Sequence, residues 1–67
     1  MNNQQITNRL NDFCAYSLTL MDKDFSEFRR LEKIEHRISQ IVHDVRKGVS
    51  RISRLKTADK MLTKVGF

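Results

Sequence analysis

The chain has no proline, no tryptophan, one cysteine and two glycines in 67 residues. Each scarcity excludes something. With Cys14 alone, no disulfide can form within the chain. One cysteine and two histidines also fall short of the four ligands of a structural zinc site. Small domains lacking both staples usually depend on oligomerisation, so self-association is expected. So few chain breakers, with 31% charged residues, make a helix-forming composition. A sheet would need turn signals, and only the Asp22–Asp24 region supplies one. No apolar run approaches the roughly 18–20 residues of a membrane span. The opening MNNQQITNR lacks the basic and apolar regions of a signal peptide. A lone unpaired cysteine fits a reducing compartment, and the expectation is a soluble, cytoplasmic protein.

The charge of +5 is unevenly placed. Residues 1–33 hold five basic and five acidic side chains, so that half is neutral. Residues 34–67 hold eight basic and three acidic ones. Between Val45 and Lys56 there are five bases and no acid. Such a block points to an acidic partner or a phosphate backbone.

Apolar residues recur at Leu31, Ile34, Ile38, Ile41, Val45, Ile52 and Leu55, a heptad seam with Gly48 in one of its positions. A stripe of Ile6, Leu10, Phe13, Cys14, Leu20 and Met21 marks an earlier helix, interrupted by Ser17. Asp24 with Glu27 three residues on resembles a capping box. The pattern predicts one all-α domain over 1–67. Its first helix covers about 4–21, its second about 24–56, and 57–67 forms a weak helix or frayed tail. The preferred architecture is an antiparallel helical hairpin dimerising through the seam into a four-helix bundle. Two alternatives stay open: one long coiled-coil helix, and a three-helix arrangement broken at Gly48. If the helix runs through Gly48, the glycine becomes a seam contact. If it stops there, Arg46 and Lys47 before a glycine fit a helix C-terminus.

The stretch RKGVSRISR resembles the turn of helix-turn-helix proteins. That fold would bury the positions of Asp44, Lys47 and Arg54, and charges there argue against it. On a continuous helix, Arg46, Lys47, Arg51 and Arg54 form one basic face and are the candidate partner- or phosphate-binding residues. No aromatic lies between Phe28 and Phe67, so the basic segment has no stacking platform for single strands. The aliphatic apolar face also argues against a membrane-surface helix. His36 and His43 stand two turns apart, about 10 Å, too far to share a metal. Cys14 reads as a packed thiol. Phe25 and Phe28 either cap the bundle end or, if exposed, form a docking patch.

No phosphate-cradling loop and no nucleophile paired with a base appears, so the chain is expected not to be an enzyme, with no cofactor, metal or small-molecule substrate. The expected function is a small interaction module, a regulator or adaptor that self-associates and docks an acidic protein. The alternatives are a nucleic-acid binder of little sequence specificity and a structural subunit of a larger assembly.

Overall fold

The longest helix begins where Asp24 turns its side chain back on the chain. Its Oδ1 accepts the Glu27 backbone N–H at 3.1 Å, and helix α2 runs over Phe25–Arg46. The capping box is half made: the Glu27 carboxylate pairs with Arg30 rather than reaching back to Asp24. Helix α1, Asn3–Leu18, carries the complete box. Asn2 Oδ1 accepts from Gln5 N, and Asn2 N donates to Gln5 Oε1, both at 2.9 Å. After α2 comes a 3₁₀ turn, Ile52–Arg54, leading into helix α3, Leu55–Lys64. This computed structural model describes residues 2–67, and no strand occurs among them.

Helix α2 therefore stops ten residues short of the expected Lys56, and the cause is local. Gly48 has φ +75°, the left-handed region open to glycine. Gly48 N donates to Val45 O and Val49 N to Asp44 O, the bond pair of a Schellman motif. The two-helix hairpin and the single long helix give way to three helices packed against one another. Gly48 is not a seam contact, since a Cβ there would meet nothing within 4 Å. Gly66 ends α3 by the same motif, with φ +90° and bonds from Gly66 N to Thr63 O and from Phe67 N to Leu62 O. Phe67 then folds back against the core and packs its ring 5.6 Å from that of Phe13.

The core is Ile6, Leu10 and Phe13 from α1, Leu31, Ile38, Ile41 and Val42 from α2, and Leu55, Ala58 and Leu62 from α3. Most of the heptad stripe is thus buried within one chain. Leu31, Ile38, Ile41 and Leu55 are buried, and Ile34 and Val45 partly so. Ile52 is the exception. It shares the stripe's phase in the sequence, but the turn at Gly48 leaves it 65% exposed. Ser17 lies on the buried stripe at 1% exposure. Its hydroxyl donates to the Cys14 carbonyl at 3.0 Å, so its burial leaves no polar group unpaired.

Polar clamps fix the three helices. Arg9 of α1 reaches across α3: its Nε donates to Phe67 O at 2.7 Å and its Nη2 to Thr63 Oγ1 at 3.0 Å, while Nη1 pairs with Asp59. At the N-terminal end of α1, Arg46 Nε donates to Asn3 Oδ1 at 2.9 Å and Nη2 to Thr7 Oγ1 at 3.0 Å. Helix α1 thus lies antiparallel to α2, and α3 turns back along α2 beside α1. No helix among the described residues is long and apolar enough to cross a membrane.

Candidate functional site

Because α3 folds back on α2, residues far apart in sequence share one groove. Its wider part, of about 570 Å³, has Leu31, Ile34, Met61 and Val65 as its floor, with Tyr16, Arg30, Arg37 and Lys64 around them. A second part of about 330 Å³ shares Arg37 and Met61 and continues past Ile41 to Ser50 and Arg54. One continuous trough therefore runs from the first turns of α2, at Glu27 and Arg30, to the α2–α3 turn.

The rim is predominantly cationic. Arg37, Arg54 and Lys64 form no ion pair among the described residues and are exposed. Arg30 differs, because it is engaged by Glu27 through two hydrogen bonds. These bonds hold the Glu27 carboxyl below its ordinary range and push the Arg30 guanidinium up. That pair is a near-neutral unit at one end of the trough. Asp44, the other acid on the wall, accepts a hydrogen bond from Gln40 at 2.8 Å.

The four basic residues expected on one helical face do not stay together. Lys47 and Arg51 are exposed in the α2–α3 turn, and Arg54 begins the trough. Arg46 is turned the other way, against Asn3 and Thr7 of α1. Lys47 and Arg54, which a helix-turn-helix would bury, are both exposed. The turn also presents Val49 at 75% and Ile52 at 65% exposure, an apolar pair among cations. Sequence reasoning missed Arg37, Lys64 and Met61. They line one trough only once α3 is antiparallel to α2, and the glycine at position 48 was the signal for that.

No group of three or more His, Cys, Asp or Glu side chains able to hold a metal occurs among the described residues. Cys14 is partly buried beside Glu35. Desolvation, followed by the hydrogen bond and negative charge of that carboxylate, raises its thiol to about 11. A thiol so disposed stays protonated at neutral pH and is a poor nucleophile. The groove thus offers apolar contact and positive charge. Comparison with protein-family models, curated proteins and solved structures found no match.

Proposed function

We propose that this protein is a non-enzymatic interaction module, an adaptor or regulator that docks an acidic, amphipathic segment of another protein along the α2–α3 trough. The observation that carries this reading is the combination of an apolar floor (Ile34, Ile41, Met61) with a rim of unpaired cations (Arg37, Arg54, Lys64). An amphipathic helix laid in a groove buries its apolar face and keeps its charged flanks at the edge. Acidic flanks would meet Arg37, Arg54 and Lys64 there, which favours encounter and selects against basic partners.

A second reading, a nucleic-acid binder of low sequence specificity, is favoured by one observation: Lys47, Arg51 and Arg54 stand exposed in a segment without an acid. Phosphate contacts need such cations. They give no burial to the trough floor, and for that reason the protein-docking reading is preferred.

The test sets a labelled acidic amphipathic peptide against duplex DNA and RNA at two salt concentrations. The proposal expects saturable peptide binding, weakened at least about tenfold by Arg37→Glu with Arg54→Glu, a loss of about 1.4 kcal/mol. Tight, steeply salt-sensitive duplex binding without peptide binding would establish the second reading instead.

A further inference from the structure

Among the described residues, the six large apolar side chains that remain exposed sort into two groups. Tyr16, Leu18, Met21 and Phe25 surround the α1–α2 turn; Val49 and Ile52 occupy the α2–α3 turn. The two turns lie at opposite ends of α2, whose 22 residues span about 33 Å. The whole molecule is 37 Å long. One copy cannot bring these patches together, but two copies can.

The ends also differ in charge. The α1–α2 turn carries Asp22 and Asp24 with a single base, Lys23. The nearby Arg29 and Arg30 are paired with Glu32 and Glu27. The α2–α3 turn carries Lys47, Arg51 and Arg54 with no acid. Two basic turns repel each other, whereas the α1–α2 turn sets an exposed apolar patch beside the exposed Asp22 and the Asp24 that caps α2. Screening over roughly 8 Å at physiological salt makes the local sign of the touching ends outweigh the net charge of the chain.

We infer that copies of this chain associate head to tail, the α2–α3 turn of one seating Val49 and Ile52 on the Leu18, Met21 and Phe25 patch of the next. Lys47 and Arg51 then face Asp22 of the neighbour. Such a contact is heterologous, so it leaves a free turn at each end and adds further copies rather than stopping at two. It goes beyond the proposed function, and none of its contact residues lines the trough.

Sedimentation across a concentration series tests it with two variants altered only at exposed positions. Leu18→Lys with Met21→Lys places charges against an incoming basic turn. Val49→Asp with Ile52→Asp places carboxylates against an acidic turn. The native chain is expected to grow in mass with concentration, and each variant alone to remain a monomer with native circular dichroism. Mixed one to one, the variants should form a dimer and nothing longer, since each retains the turn the other lacks. A native chain that stays monomeric, a variant that associates like the native chain, or a mixture that stays monomeric overturns the inference. A second pair, Asp22→Lys and Arg51→Glu, reads the same contact through charge. Each alone should weaken association and their mixture should restore it; unchanged association in both single variants would also overturn it.

Discussion

Gly48 shows how one residue decides between two folds of the same apolar pattern. With φ +75°, a side chain at this position is strained although nothing crowds it. Gly48→Ala should therefore destabilise the protein by about 1–2 kcal/mol, the cost of a left-handed L-residue. In a continuous helix the same change would stabilise by roughly 1 kcal/mol. The sign, read from urea unfolding, separates the two. Cys14 offers a second residue-level test. Its ionisation lies at about 11, raised by burial and then by Glu35, so alkylation of the folded protein should stay slow at pH 8 and accelerate only as pH nears that value. Rapid labelling at pH 8 under native conditions would mean that the thiol is not packed as described.

At the level of elements, α1 was legible from its apolar spacing, though it ends at Leu18 rather than near residue 21, and the start of α2 from its cap. The acid at position 24 marks the start of α2, and Ile6, Leu10 and Phe13 mark the buried face of α1. The end of α2 was harder to read because Val45, Ile52 and Leu55 keep heptad phase across the break. Leu55 does reach the core, at 2% exposure, but by folding back rather than by continuing. Ile52 does not, and periodicity alone cannot distinguish them. Only a glycine after two basic residues signals the stop. Ile38 is wholly buried, so Ile38→Ala should cost about 2–5 kcal/mol. For a chain this short that is a large fraction of total stability, and calorimetry should show a collapsed or lost transition. The Arg9 clamp predicts a more local effect. Arg9→Met removes the links to Asp59, Thr63 and Phe67. Hydrogen exchange should then speed up in α3 before α2; equal acceleration everywhere would show that α3 is not held by this clamp.

Across the whole molecule, the fold buries most of the apolar stripe that the sequence reading assigned to a partner copy and creates a different surface. The stripe is buried against α1 and α3, while Arg37, Arg54, Lys64 and Met61, scattered over 28 positions of sequence, come to wall one trough. The trough was not legible because its two walls belong to helices whose antiparallel relation depends on the turn at Gly48. Its basic character was legible, since the excess of cations in the second half of the chain survives any folding. The central claim is that this trough receives an acidic amphipathic segment. The most direct measurement is an NMR titration of the labelled protein with such a peptide. Chemical-shift changes should concentrate at Ile34, Arg37, Ile41, Arg54, Met61 and Lys64. Saturable changes confined to the outer face of α1, or none at peptide concentrations that saturate other groove-binding modules, would contradict the account.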